Sequence, residues 1–312
     1  MLRTLLAGLI LATAVLPSET LDFQGRRWTY YSVSPAVTAT QPPLILLFHG
    51  TGGSGGGFLD RSGWADKARR EGFVVVSPSG QTPNPDEKPD FVTNPRAWNA
   101  GQAFFQASRV DDQAFVADLA TKVVQTFHAD PTRVYLVGHS NGAAFCFKLA
   151  AAYAERWAGI GCVAGPVFPP VGRLRRPVAT CCVYGVEDPL IPMAGGAADT
   201  PWGSRLSTPV VEMLGIWAKA LGYEGPPEVL SEDDAQRTEH YGDNLEVIFL
   251  KGHGHNYPSP TQPQVDPRFG PVRLDVPVND RIWDYLRNKK SPGPKTGAFQ
   301  DHLVSRSARH RN

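Results

Sequence analysis

The sequence predicts an α/β fold in which helices cover both faces of a mostly parallel sheet. From Leu44 onward, short apolar runs alternate with stretches whose apolar residues recur at helical spacing. The strand candidate at Leu44–Phe48 is a continuous apolar run, as expected of a strand that is covered on both faces. No internal repeat or linker interrupts this order, so we expect a single domain over residues 20–290.

Charge and cysteine content argue against several classes of protein. A formal net charge of +1 over 312 residues provides no basic surface for nucleic acid, so we expect no nucleic-acid partner. The cysteines at positions 146, 162, 181 and 182 fit no metal-binding spacing. We therefore expect buried free thiols and no metal.

The two ends of the chain differ from the middle. Residues 1–14 combine Arg3, an apolar run and Ala12-Thr13-Ala14, which is typical of a secretory signal peptide, although a buried first strand or helix is the alternative. The run is too short to span a bilayer and no later stretch is long enough, so a secreted or periplasmic protein without a membrane span is expected. Residues 291–312 are polar and basic and predict a disordered tail.

The first half of the domain contains three predicted strand regions and a long irregular segment. Residues 20–35 alternate in part and indicate one or two antiparallel edge strands. The next elements are a strand at Leu44–Phe48, a helix from Trp64 to Gly72 and a strand at Phe73–Val76. Residues 80–110 lack periodicity, and their aromatic residues indicate either a substrate-facing rim or a loop pinned to the core by Trp98.

The second half continues the alternation of helices and strands. Its predicted elements are a helix capped by Asp111 and Asp112, a strand at Val134–Val137, an apolar helix reaching Trp157, strands at Gly159–Val163 and Ala179–Tyr184, a helix starting at Thr208-Pro209 and ending at Gly222, a strand at Leu245–Leu250, and a final helix capped by Asn279.

A Gly-x-Ser-x-Gly sequence joins the strand at Val134–Val137 to the following helix. A serine at so sharp a strand-to-helix turn has a strained backbone, and Gly138 and Gly142 leave room for the neighbouring chain. Ser140 would then stand exposed above the sheet as a nucleophile. The pentapeptide alone is weak support for this role, so the surrounding elements decide.

The glycine-rich stretch at residues 50–57 has two interpretations. Gly50, Gly52 and Gly55 satisfy a dinucleotide-binding pattern, but no acidic residue closes the second strand, where it would hold the ribose. The alternative is a loop whose backbone N–H groups stabilise an oxyanion beside the serine. We favour the oxyanion loop, with the N–H groups of Thr51 and Asn141 as donors and His49 as a support for the loop.

Two further strand ends carry the partners that a nucleophilic serine needs. Asp188 follows the strand that ends at Tyr184, and His253 and His255 follow the strand that ends at Leu250. The chain order of nucleophile, acid and base is that of the α/β-hydrolase fold. In such a triad the imidazole takes the serine proton and the carboxylate orients the imidazole. From position alone, Glu187 and His253 are alternative acid and base.

These residues resemble a family of secreted esterases related to polyhydroxybutyrate depolymerases and to feruloyl or acetylxylan esterases. The resemblance runs from Leu44 to Tyr285 and includes Trp98-Asn99-Ala100-Gly101, Val110-Asp111-Asp112 and the Gly254-His255 pair before Tyr257-Pro258. It implies His255 as the base, with Tyr257 at a position that is tryptophan in the family. It also makes His49, Trp98 and Tyr257 candidate substrate contacts. Cysteines that many relatives have near positions 51 and 102 are absent here.

The resulting prediction is a secreted serine hydrolase that cleaves carboxylic esters through an acyl-enzyme, without a cofactor. Its triad would be Ser140, His255 and Asp188. Its partner would be a small or oligomeric ester, including polyester or plant-polysaccharide esters, with short soluble esters favoured because no polymer-binding module follows. The alternatives are a non-catalytic hydrolase-like module that binds a polysaccharide or a protein partner, and a dinucleotide-binding oxidoreductase.

Overall fold

A computed structural model describes residues 18–35, 40–101, 111–259 and 266–293. Twelve strands are found in these ranges: β1 (Ser18–Phe23), β2 (Arg26–Val33), β3 (Leu44–Phe48), β4 (Val74–Pro78), β5 (Val134–His139), β6 (Gly159–Val163), β7 (Ala179–Gly185), β8 (Gly196–Thr200), β9 (Gly203–Ser207), β10 (Glu228–Glu232), β11 (Gln236–His240) and β12 (Leu245–Leu250). The predicted signal peptide and the tail beyond residue 293 lie outside the described residues.

Six α-helices accompany these strands within the same ranges: α1 (Gly55–Arg61), α2 (Trp64–Glu71), α3 (Asp112–Thr126), α4 (Asn141–Ala152), α5 (Val210–Leu221) and α6 (Val278–Leu286). None of them is long and apolar enough to cross a membrane.

One large sheet organises the described residues, with strand order β1-β2-β4-β3-β5-β6-β7-β12-β11-β10. The six central strands, which lie in the order β4-β3-β5-β6-β7-β12, pair in parallel. The strands at the two ends of the sheet pair antiparallel. If the six parallel strands β3, β4, β5, β6, β7 and β12 are numbered 1 to 6 in chain order, their order across the sheet is 2-1-3-4-5-6. Dinucleotide-binding sheets have the order 3-2-1-4-5-6, so this topology opposes the oxidoreductase alternative and confirms the predicted α/β class.

The period of two along each central strand divides the core between the two faces of the sheet. On β3, Leu44, Leu46 and Phe48 belong to the apolar cluster that includes residues of α3, α4 and α5. Ile45 and Leu47 belong to the cluster on the other face, which includes residues of α1, α2 and α6. All five residues of β3 are buried. This two-sided burial explains why the strands read as continuous apolar runs.

Several predicted boundaries were wrong by a residue or more. The helix after Ser140 ends at Ala152, and Trp157 lies beyond it. Asn279 lies inside the first turn of α6 rather than capping it, and Pro209 rather than Thr208 occupies the N-cap position of α5. The cap of α3 is confirmed for Asp111, whose side chain accepts from the Ala114 N–H.

Some elements carried no clear sequence signal. Helix α1 begins inside the glycine-rich stretch, and its N-cap Ser54 accepts from the Gly57 N–H. Strands β8, β9 and β10 are largely exposed and β11 is polar, so the hairpins β8–β9 and β10–β11 lack the apolar pattern that marks the central strands. The four cysteines are free and buried, as expected, and burial raises the pKa of the Cys162 and Cys181 thiols.

Candidate active site

Ser140 occupies the turn between β5 and α4 with φ 54° and ψ −119°, a strained conformation for a residue with a side chain. The flanking glycines make this turn possible. A Cβ on Gly138 would lie 2.4 Å from the carbonyl carbon of Gly142, and a Cβ on Gly142 would lie 2.3 Å from the carbonyl oxygen of Phe48. The turn therefore requires glycine at both positions for steric reasons, as predicted.

The ends of β7 and β12 bring Asp188 and His255 to this serine. His255 Nε2 lies 2.8 Å from Ser140 Oγ, and His255 Nδ1 lies 2.7 Å from Asp188 Oδ2. Since a carboxylate only accepts hydrogen bonds, Nδ1 carries the proton and Nε2 is left to accept from the serine hydroxyl. The three predicted residues thus form one continuous hydrogen-bonded chain.

Asp188 is held in place by backbone groups as well as by the histidine. Its Oδ1 accepts from the N–H groups of Leu190 and Ile191 at 2.8 and 2.9 Å. Burial acts to raise the pKa of this carboxyl, but the neighbouring His255 and these hydrogen bonds outweigh burial and lower the pKa below its usual value. The side chain therefore stays ionised, which suits it to stabilise an imidazolium.

The geometry separates Asp188 and His255 from the alternatives that the sequence left open. Glu187 is exposed, and its carboxylate accepts from the His253 backbone N–H at 3.0 Å. His253 is buried, with Nε2 donating to the Asn256 carbonyl at 2.8 Å and Nδ1 accepting from the Arg273 N–H at 3.0 Å. Both ring nitrogens of His253 are therefore occupied, and neither residue contacts Ser140.

The two predicted oxyanion donors flank the serine. Within the part of the chain that the structure describes, no acceptor is bonded to the backbone N–H of Thr51 or of Asn141. The glycine loop approaches the serine so closely that a Cβ on Gly50 would lie 3.2 Å from Ser140 Cβ. A small loop residue is needed at this contact, so the loop can bring its N–H groups up to the nucleophile.

One segment, residues 96–98, binds both sides of this oxyanion region. The Arg96 carbonyl accepts from the Gly52 N–H at 2.8 Å, next to Thr51. The Asn141 side chain forms two bonds with the Trp98 backbone, accepting from its N–H at 2.7 Å and donating to its carbonyl at 2.9 Å. The distance between the two donors is therefore set by a segment that the sequence had indicated only as a rim or a pinned loop.

His49 supports the glycine loop from inside the protein. Its Nδ1 donates to the Gly50 carbonyl at 2.7 Å, and its Nε2 accepts from the Gly80 N–H at 2.9 Å. Burial lowers the pKa of this imidazole to about 4, so the ring is neutral near pH 7. Although His49 borders the cavity, both of its nitrogens are already bonded within the protein, which favours the supporting role.

Trp98 and Tyr257 are also buried, and their polar atoms have partners. The Trp98 indole N–H donates to the His49 carbonyl at 3.2 Å. The Tyr257 hydroxyl accepts from the Trp64 indole at 2.8 Å and donates to Asn279 Oδ1 at 2.6 Å. Tyr257 borders the cavity, whereas Trp98 does not. Substrate contact by these two residues and by His49 stays a prediction, and their pairing favours a role in holding the walls.

A cavity of about 730 Å³ opens over Ser140 and His255. Its outer wall includes Phe91 and Trp202, whose rings lie 5.3 Å apart, with the Trp202 indole N–H donating to the Phe91 carbonyl at 2.7 Å. Arg268 also lines it and pairs with Asp266 at 2.7 Å. Phe91 lies in the aperiodic segment flagged as a possible rim, but no sequence pattern identified Trp202 or Arg268.

The segment from Asp266 to Pro271 contacts the loop that carries His255 and was not identified from the sequence. The Phe269 carbonyl accepts from the His255 N–H at 2.6 Å, and the Pro271 carbonyl accepts from the Gly254 N–H at 2.7 Å. Within the described residues, no group of three or more histidine, cysteine or acidic side chains could hold a metal ion.

The chain is similar in sequence to proteins named as esterases. Residues 28–174, which include the glycine loop and Ser140 but not Asp188 or His255, match the family model described as Esterase PHB depolymerase. Acetylxylan esterase A of Aspergillus ficuum is 23% identical over 257 residues, covering 73% of this chain and 80% of that protein. Feruloyl esterase B of Neurospora crassa is 26% identical over 273 residues, covering 77% and 86% respectively.

The solved structure of an acetyl xylan esterase from Aspergillus awamori superposes with a TM-score of 0.55 at 17% identity. The superposed region covers 83% of this chain and 94% of the acetyl xylan esterase chain. At this level of identity the likeness concerns the fold, which is the α/β-hydrolase fold.

Proposed function

We propose that the protein is a serine esterase that cleaves carboxylic esters through an acyl-enzyme. Its similarity to the polyhydroxybutyrate depolymerase esterase family and to acetylxylan and feruloyl esterases supports this proposal. The observation that carries this proposal is the chain of contacts from Ser140 Oγ through His255 to Asp188, at 2.8 and 2.7 Å, on a strained turn that faces a cavity.

Ser140 attacks the ester carbonyl carbon in the first half of the reaction, while His255 Nε2 takes the hydroxyl proton. Asp188 stays ionised, keeps the second imidazole proton on Nδ1 and stabilises the imidazolium that forms. His255 then returns its proton to the departing alcohol. In the second half, a water molecule is activated by the same imidazole and hydrolyses the acyl-enzyme, so the proton is returned to Ser140.

The negative charge that develops on the carbonyl oxygen is stabilised by the backbone N–H groups of Thr51 and Asn141. Such preset donors contribute about 3 kcal/mol of transition-state stabilisation each in serine hydrolases. Asn141 is the first residue of α4, so the positive end of the helix dipole also faces the oxyanion. No cofactor takes part in these steps.

The substrate class follows from the cavity and from the relatives. We propose small or oligomeric esters, including polyester and plant-polysaccharide esters such as those in the names of the relatives. The cavity, at about 730 Å³, has the size of a ligand-binding cleft. The signal-peptide pattern in residues 1–14 supports a secreted or periplasmic location.

A fluorophosphonate probe combined with a nitrophenyl ester assay tests the proposal. We expect the probe to label Ser140, and we expect Ser140→Ala to lower kcat by about 10⁴-fold or more. Ser204→Ala, which changes an exposed serine on the β8–β9 hairpin, should behave as the wild type. Folded wild-type protein that is neither labelled nor active on a panel of nitrophenyl, hydroxybutyrate, feruloyl and acetylxylan esters would contradict it.

A further inference from the structure

His139 immediately precedes the proposed nucleophile, and its side chain contacts the proposed base. His139 Nε2 lies 2.7 Å from the backbone carbonyl oxygen of His255. The next residue, Ser140, lies with its Oγ 2.8 Å from the His255 ring. Two consecutive residues therefore contact the same histidine, one at its backbone and the other at its side chain.

The acceptor at His255 determines which form of the His139 ring is present. A carbonyl oxygen only accepts, so Nε2 of His139 carries the proton and donates it. Burial, together with the neighbouring His255, lowers the pKa of His139 to about 3, so the ring is neutral over the working range of most esterases. His139 therefore places no positive charge beside an imidazole that must itself become protonated.

The packing around His139 fixes the direction of this hydrogen bond. The Phe58 ring stacks 6.1 Å away on the imidazole, and the Tyr257 ring lies edge-on at 5.7 Å. The Tyr257 hydroxyl is in turn bonded to Trp64 and Asn279. The His139 ring is thus packed against two buried aromatic side chains, while its Nε2–H donates to the loop of the base.

The other backbone group of His255 is held from the opposite side, since its N–H donates to the Phe269 carbonyl at 2.6 Å. The backbone of His255 itself is therefore held at two points. One of them is the segment from Asp266 to Pro271, and the other is the strand that delivers the nucleophile. Without the His139 bond, the His255 carbonyl would lose its partner and the ring could drift relative to Ser140 Oγ.

We propose that His139 is a positioning residue, which sets the distance between Ser140 and His255 by binding the His255 backbone through a neutral Nε2–H group. The inference rests on the proposed function, because it concerns the geometry of proton transfer in that reaction. It assigns a positioning role to the second residue of the Gly-x-Ser-x-Gly turn.

A pair of substitutions separates this role from simple packing. His139→Phe keeps a ring between Phe58 and Tyr257 but has no donor, whereas His139→Gln keeps an N–H donor at a similar reach. We expect the Phe variant to lose about 10- to 100-fold in kcat with KM changed less than about 2-fold, since small misplacements of catalytic groups have effects of this size. The Gln variant should stay within about 5-fold of wild-type kcat.

Equal kcat for His139→Phe and the wild type, or an equal loss in both variants at unchanged thermal midpoints, would overturn the inference. If His139→Phe does not fold, ¹⁵N NMR of the wild-type histidines gives a second test that requires no catalysis. A neutral, Nε2-protonated His139 from pH 5 to pH 8 is expected, and a charged or Nδ1-protonated ring contradicts the proposal. An inactive wild type would count against the esterase function alone.

Discussion

The floor and the rim of the cavity are built in different ways. The floor, defined as Ser140, Asp188 and His255 with the proposed N–H donors of Thr51 and Asn141, lies at the carboxyl ends of parallel strands, and its proposed acid and base are buried. The rim, defined as Phe91, Trp202 and Arg268, comes from an irregular segment, the turn of an exposed hairpin and a short 3₁₀ turn.

We infer from this difference that the proposed reaction and its selectivity for ester substrates depend on separate parts of the chain. Asp188 is held by two backbone N–H groups and by His255, and the Asn141 side chain forms two bonds to the Trp98 backbone, so a small change in the floor should disturb the transition state. The rim has few such bonds. The Trp202–Phe91 hydrogen bond at 2.7 Å joins two loops that are otherwise distant in sequence. Changes at the rim should therefore alter substrate binding while they leave the chemistry intact.

The largest effect is expected at the acid of the floor. Asp188→Asn preserves shape but removes the charge that stabilises the imidazolium, so kcat should fall by about 10⁴-fold, as in other serine triads. The matched control is Glu187→Gln, the exposed neighbour, which should keep kcat within about 3-fold because it does not contact the His255 ring. Steady-state kinetics on a nitrophenyl ester measures both. Similar losses in the two variants would show that the acid has been misassigned.

A smaller effect is expected where the floor is clamped to residues 96–98. Asn141→Ala removes both bonds between the Asn141 side chain and the Trp98 backbone, so the Asn141 N–H should move and kcat should fall about 10- to 100-fold. The unfolding free energy should also decrease by about 1–3 kcal/mol.

Lys148→Met is the control for this clamp. Lys148 binds Asn99 in the same loop, at 2.6 Å, but contacts neither oxyanion donor. Its loss should change kcat less than about 3-fold, even if denaturant unfolding shows a similar decrease in stability. Comparable kcat losses in the two variants would mean that general loosening of the loop, rather than donor placement, controls the rate.

The smallest effect is expected at the rim. Trp202→Ala removes the hydrogen bond to Phe91 and part of the outer wall, so KM for bulky esters should rise about 3- to 10-fold. Since the rim does not contact the reacting atoms, kcat for nitrophenyl acetate should remain within about 2-fold of the wild type. Kinetics with acetate and feruloyl esters in parallel make this comparison. A large fall in kcat for the acetate would abolish the distinction between floor and rim.

The sequence predicted the floor better than the rim because the two carry different signals. Ser140 lies between two glycines at positions where the structure leaves no room for a Cβ, and the strands before Asp188 and His255 are mostly apolar and mostly buried. Trp202 lies between two short polar strands with exposed side chains, where any turn-forming residues would serve. No periodicity marks such a residue as part of a cavity.

By itself, the sequence determined the class of fold, the turn at Ser140 and the order of the groups that follow the strands. These follow from local steric requirements and from burial patterns within single elements. Only the tertiary structure shows that His255 contacts both Ser140 and Asp188 while His253 and Glu187 bond elsewhere, since neighbouring residues in one loop differ only in where they point. It also decided that His139 contacts the base, because a hydrogen bond across 116 residues leaves no local pattern in the chain.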